Sequence, residues 1–138
     1  MKTLGRFSVS VEKELLAAFD AYVSREGYPT RSEAVAHLMT KALVEKEWQG
    51  KGSVAGAILM VYDHHKRDVV RKLLDVQHDY GEIIVSTQHV HLDHDNCLEM
   101  ITVKGRAPRI RKLLAAIHSL KGMKHSSFLM TTAGGHAS

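Results

Sequence analysis

The chain has a single cysteine, Cys97, and only two prolines. One cysteine cannot close a disulfide within the chain, so no oxidising compartment is implied. No run approaches about 18 consecutive apolar residues, so no membrane-spanning helix is expected. Met1-Lys2-Thr3-Leu4 turns polar too soon for a secretory signal, and the expectation is a soluble, cytoplasmic protein. No nucleophile stands beside a base in a recognisable pattern, which argues against an enzyme. Histidine, by contrast, is abundant, with ten in 138 residues. Imidazole titrates near neutrality and is the commonest metal ligand among side chains.

Hydrophobic residues make up 44% of the chain, enough to bury a core and to exclude a disordered polymer. The formal net charge of +4 suits an anionic partner. Its distribution is uneven. Residues 1–50 hold seven Lys+Arg and seven Asp+Glu, while residues 51–138 hold twelve and eight. Charge alone therefore does not single out the first 50 residues as a nucleic-acid reader, and pattern must decide.

Residues 3–11 alternate, with Gly5, Phe7, Val9 and Val11 on one face and Arg6, Ser8 and Ser10 on the other. A period of two predicts a half-buried strand. Leu15, Phe19, Tyr22 and Val23 then follow helical spacing, and Gly27 fits a helix stop. Thr30-Arg31-Ser32-Glu33 reads as a capping box that opens a second helix. Val35, Leu38, Met39, Ala42 and Leu43 are its expected apolar stripe. Gln49-Gly50-Lys51-Gly52-Ser53 is the expected linker, dividing a domain at 1–50 from one at 54–132.

A lone strand leaves its backbone donors and acceptors unpaired, and no second strand follows within the first 50 residues. Pairing with the same strand of another copy about a twofold axis resolves this. One strand and two helices used in that way form a ribbon-helix-helix module. Its two-stranded ribbon fits the DNA major groove, with Arg6, Ser8 and Ser10 as the base-reading candidates. Arg31 and Ser32, at the start of the second helix, are placed to hold a phosphate.

The second half alternates strand-like and helix-like runs: 54–62, 66–76, 83–92, 97–103, 109–120 and 123–131. The order βαββαβ predicts a ferredoxin-like domain and, with the first module, an α+β protein. Residues 133–138 are expected to form a frayed tail. The densest chemical signal lies across the turn between the middle two strands: His89-Val90-His91, Asp93-His94-Asp95-Asn96 and Cys97-Leu98-Glu99. If the turn centres near His94, His91 lies opposite Cys97 and His89 opposite Glu99, and residues two apart share a face. Two imidazoles and a thiol then converge, with Glu99 as a ligand or as a hydrogen-bond partner that orients His89. A lone cysteine is more often a small buried hydrophobe; the combination in one register is what favours a metal. His78 is a fourth candidate, from this chain or a neighbour. His64, His65, His118, His125 and His136 are weaker ones. Three His and one Cys suit zinc in a tetrahedral site, or Ni(II) or Cu(II) in a square-planar one, and spacing does not choose.

Several stretches together resemble the nickel-responsive transcriptional regulator family (NikR) over nearly the whole length. They are Arg6-Phe7-Ser8-Val9-Ser10, Gly27-Tyr28-Pro29-Thr30-Arg31-Ser32-Glu33-Ala34, Tyr62-Asp63-His64-His65-Lys66-Arg67-Asp68, Gln77-His78-Asp79 and the segment from His89 to Glu99. The resemblance implies a homotetramer, with two ribbon-helix-helix dimers flanking a core of ferredoxin-like, ACT-type domains. It implies one Ni(II) per subunit, held square-planar by His89, His91 and Cys97 of one chain and His78 of another. It further implies nickel-dependent repression through palindromic operator DNA, control of nickel uptake, and phosphate contacts from Lys66 and Arg67. Some members hold a second cation on acidic residues one turn apart on the second helix. Here the matching pair is Glu33 and His37, so the second carboxylate is missing. A metal buffer or chaperone that ignores DNA is the alternative function.

Overall fold

The computed structural model describes residues 3–134; His136 and the rest of the expected tail beyond 134 lie outside them. The fold is α+β, with four helices and one four-stranded antiparallel sheet among the described residues. It divides into two compact units, one ending at Met39 and one beginning at Thr40.

The first unit holds helix α1 (Lys13–Arg25) and the opening turns of α2 (Arg31–Gln49). Gly27 follows α1 at φ 79°, a left-handed conformation that costs a residue with a Cβ more than it costs glycine. The Thr30 hydroxyl then accepts the Glu33 backbone N–H at 3.2 Å, as the capping box requires. Arg31 donates twice to Asp20, each bond at 2.7 Å, and so ties the start of α2 to α1. That guanidinium holds the Asp20 carboxyl below its ordinary range. Val23 and Ala34 are the unit's buried apolar residues.

Two expectations for this unit differ from the structure. Residues 3–12 form no strand, and Phe7 and Val9 are 68% and 72% exposed. A strand exists through its ladder, and no other segment of the described chain pairs with this one. The stripe expected on α2 also differs, because Leu38, Met39 and Leu43 are exposed. The side chains that α2 buries are Ala34, Val44 and Trp48. Its periodicity is helical, but the face chosen from the sequence is not the face covered within one chain.

The second unit starts in the later turns of α2. Val44 and Trp48 join its core, and the Trp48 indole N–H donates to the Thr131 carbonyl at 2.9 Å. The Trp48 ring meets Phe128 edge-on, with centroids 4.9 Å apart. The observed division at residues 39 and 40 thus precedes the expected linker at 49–53. That stretch is itself bound: the Gly52 carbonyl accepts from the Ala107 N–H, and the Trp48 carbonyl from Arg111.

Then follow β1 (Ser53–Asp63), α3 (Arg67–Asp79), β2 (Ile84–His91), β3 (Asn96–Arg106), α4 (Ala107–His118) and β4 (Met123–Thr132), the succession expected from periodicity. The sheet order is β2-β3-β1-β4. Both helices cover one face: Val69 and Leu73 of α3 and Ile110, Leu113 and Ile117 of α4 pack on Ile58, Met60, Tyr62, Cys97, Ile101 and Val103. Alternation along β1 from Ile58 to Tyr62 and along β3 from Cys97 to Val103 assigns these residues to one side of the pleat. Removing a large side chain from such a core costs about 2–5 kcal/mol. No helix among the described residues is long and apolar enough to cross a membrane.

Candidate metal centre

The β2–β3 hairpin carries the register inferred from the sequence: His91 pairs with Cys97, Val90 with Leu98 and His89 with Glu99. Asp93 organises the turn. Its Oδ1 accepts the backbone N–H of both Asp95 and Asn96, and its Oδ2 accepts the Asn96 side-chain amide. The Asn96 side chain, followed by these backbone donors, holds the Asp93 carboxyl below its ordinary range. On the other side of β3, Tyr62 of β1 pairs with Cys97 and Met60 with Glu99. Two cross-strand rows therefore lie next to each other, His91–Cys97–Tyr62 and His89–Glu99–Met60.

Their polar members touch. His89 Nε2 lies 2.8 Å from Cys97 Sγ and 3.1 Å from the Tyr62 hydroxyl. The His89 and His91 rings are 5.9 Å apart at their centroids. Cys97 is buried, while both imidazoles are exposed. Burial, and then the charge of Glu99, push the Cys97 thiol above its ordinary range.

Glu99 is 5% exposed, and both of its oxygens are bonded. The Tyr62 hydroxyl donates to Oε1 at 2.6 Å and the Gln77 amide to Oε2 at 2.7 Å. Burial, followed by the hydrogen bond to Glu99, raises the Tyr62 phenol far above its ordinary range and keeps it a neutral donor. A buried carboxyl group without partners would be costly; with two donors it can be kept beside the metal-binding candidates. Tyr62 and Gln77 were not singled out as site residues from the sequence. Extending the register by one strand would have found Tyr62, whereas Gln77 reaches Glu99 only through the packing of α3 on the sheet.

His78 lies exposed in the last turn of α3, and its side chain makes no hydrogen bond or ring contact among the described residues. The DNA-reading candidates Arg6, Ser8 and Ser10 are exposed in the segment that forms no ladder. Ser32 is exposed in the first turn of α2, beside Arg31 with its Asp20 pair. Lys66 caps the N-terminus of α3 and Arg67 is its first residue, both exposed.

The donor set of the hairpin, two imidazoles and a thiol with a bonded carboxyl group behind one of them, fits a borderline transition metal. A thiol 2.8 Å from an imidazole nitrogen needs only small side-chain rotations to share an ion. These features define a candidate metal centre on the β2–β3 hairpin.

Residues 55–131 match the NikR C terminal nickel binding domain. Relatives extend the likeness over nearly the full length. A Chlorobaculum tepidum protein is 50% identical over 133 residues, covering 96% of this chain and 99% of the relative. One from Pyrococcus furiosus is 52% identical over 130 residues, 94% of each. Both carry the name "Putative nickel-responsive regulator". The chain belongs to this nickel-responsive regulator family, whose members are regulatory proteins and not enzymes. In fold alone, 57% of the chain matches 98% of an uncharacterized protein from Thermotoga maritima, at a TM-score of 0.53 and 11% identity.

Proposed function

We propose that this protein is a nickel-dependent transcriptional repressor that binds palindromic operator DNA and controls nickel uptake in the cytoplasm. The observation that carries the reading is the hairpin register, which brings His89, His91 and Cys97 together inside a matched nickel-binding domain. In this reading those three residues and His78 of a second chain hold one Ni(II) per subunit, in a homotetramer with an ACT-type core. Bound Ni(II) supplies the positive charge that favours thiolate over thiol at Cys97. Glu99, bonded by Tyr62 and Gln77, acts on the His89 side of the site through the Tyr62 hydroxyl, which touches both.

The DNA-binding half is read as a ribbon-helix-helix dimer. Its support is the exposed row of Phe7, Val9 and Val11 with the exposed Leu15, Leu38 and Leu43, apolar surface that a second copy would cover. Pairing residues 3–11 with their symmetry mate would satisfy the free backbone and present Arg6, Ser8 and Ser10 to base edges. Arg31, Ser32, Lys66 and Arg67 would meet phosphates; Arg31 would do so while sharing its guanidinium with Asp20.

The test is duplex selection from a randomised DNA pool, with metal-free protein and with stoichiometric Ni(II), at one fixed salt concentration because phosphate contacts make affinity salt-dependent. Enrichment of a palindrome only with nickel is expected. Equal retention of all sequences in both forms refutes the repressor and leaves a metal buffer.

A further inference from the structure

We propose that His37 is a selectivity residue: it closes the place on α2 where some members of this family hold a second cation, and ring packing orders that place instead. The family's arrangement is a pair of carboxylates one turn apart, oxygen donors that suit a hard ion such as an alkali or alkaline-earth cation. Here Glu33 stands in the first turn of α2 and His37 four residues on, the spacing that puts two side chains on one helix face. An imidazole offers nitrogen in place of oxygen and is negative neither as the neutral ring nor as the protonated one. Such a pair does not fit a hard cation. Among the described residues, Glu33 and His37 also gather no third His, Cys, Asp or Glu ligand around them.

The His37 ring has another occupation. It packs on Tyr28, with centroids 5.7 Å apart and the planes tilted by 47°. Tyr28 in turn packs on Tyr22 at 6.4 Å, and Tyr22 on Phe19 at 6.0 Å. This row of four rings runs from α1 through the α1–α2 turn to α2. Phe19, Tyr22 and Tyr28 are half-buried, and the exposed His37 is the outer end of the row. The Tyr28 backbone N–H donates to the Val23 carbonyl at 3.1 Å, which holds the turn against α1. Offset and tilted rings at such separations attract one another beyond the area they bury. Glu33 is also kept without a cation. Its backbone N–H is bonded to Thr30 Oγ1 at 3.2 Å, and a carboxylate in the first turn faces the positive end of the helix dipole. A carboxylate in place of the His37 ring would supply the missing oxygen donor and end the row at Tyr28. One position thus serves either the ion or the rings, and this chain has the ring.

The probes are radiolabelled Rb(I) and Ca(II), dialysed to equilibrium against the full-length protein in choline chloride at fixed ionic strength. Wild-type protein is expected to show no saturable uptake that depends on Glu33, so Glu33→Gln should leave uptake of both ions unchanged. His37→Asp should bind one of the two ions at least about tenfold more tightly than wild type, since affinity for such ions follows the number of charged oxygen ligands. Adding Glu33→Gln to that variant should remove the gain. Replacing choline by the bound ion should raise the unfolding temperature of His37→Asp and leave that of wild type where it was, because a ligand stabilises the state that binds it. His37→Phe, which keeps a ring on Tyr28, should unfold at the wild-type temperature, and His37→Ala below it. Glu33-dependent uptake by wild-type protein overturns the proposal, as does a His37→Asp variant that gains neither ion. Equal unfolding temperatures for His37→Ala and wild type overturn the role given to the rings. None of these measurements involves DNA or nickel, so failure of the repressor reading and failure of this one are told apart.

Discussion

Replacing Tyr62 by Phe removes the hydroxyl that joins Glu99 to His89. The hydroxyl is 2.6 Å from Glu99 Oε1 and 3.1 Å from His89 Nε2. Tyr62 is 3% exposed, so water has little room to replace the lost donor. A hydrogen bond to a charged group contributes about 1.5–3 kcal/mol, and a buried acceptor left short of donors keeps that cost. The Gln77 amide still holds Oε2, so we expect a loss of roughly 2 kcal/mol. In urea, with a slope of about 1–3 kcal/mol per molar, the midpoint should fall by roughly 1 M. Trp48 is the only tryptophan and is buried in the same unit, so its fluorescence reports the transition directly. Glu99→Gln and the double variant complete a cycle that isolates the coupling between the two groups. The same substitution should weaken nickel binding about 10–100-fold, because His89 loses a contact that orients it. A midpoint shift under about 0.2 M together with unchanged nickel affinity would refute the assignment of Tyr62 as a positioning residue.

Cys97→Ala should abolish the sulfur-to-nickel charge-transfer absorption, and an unchanged band would remove Cys97 from the ligand set. Nickel affinity should rise with pH by about tenfold per unit for the one proton displaced from Cys97. Because burial raises that thiol in the folded chain, the rise should continue through the free-cysteine range near about 8.5; a plateau below it in a competition titration contradicts the burial argument. Gly56→Ala should destabilise the second unit by roughly 1–3 kcal/mol, since the new Cβ would stand 2.6 Å from the Leu129 backbone oxygen; an unchanged urea midpoint would show that β1 and β4 can part there. Arg6→Ala should cost about 1–3 kcal/mol in DNA affinity and relax preference at one position per half-site. Intact sequence preference in that variant would remove Arg6 from base reading.

The hairpin was legible because it is local. A turn of known centre and a period of two determine which residues meet, and Asp93 supplies the turn chemistry within the same few residues. The order of elements was legible for the same reason, as each carries its own periodicity. What escaped were contacts between elements distant in sequence. Gln77 and Tyr62 reach Glu99 across 22 and 37 residues, and Trp48 reaches Thr131 across 83. That last contact ties the end of α2 to the second unit, which begins at Thr40. For residues 3–11 and the face of α2 carrying Leu38 and Leu43, periodicity shows which side chains share a face but not what covers it. In a single chain that face stays open.

The hairpin register has a consequence for how this region can change over time. Surface turns ordinarily absorb insertions and deletions readily. Between His91 and Cys97 a change of one residue would leave both strands intact and every side chain present. It would nonetheless set His91 against a different partner and turn one strand's donors toward the opposite face of the sheet, because strand geometry repeats every second residue. Substitution can tune this turn, but a change of length there erases the constellation in one step. Five residues between His91 and Cys97 are therefore a spacing that descent should hold as tightly as the proposed ligands themselves.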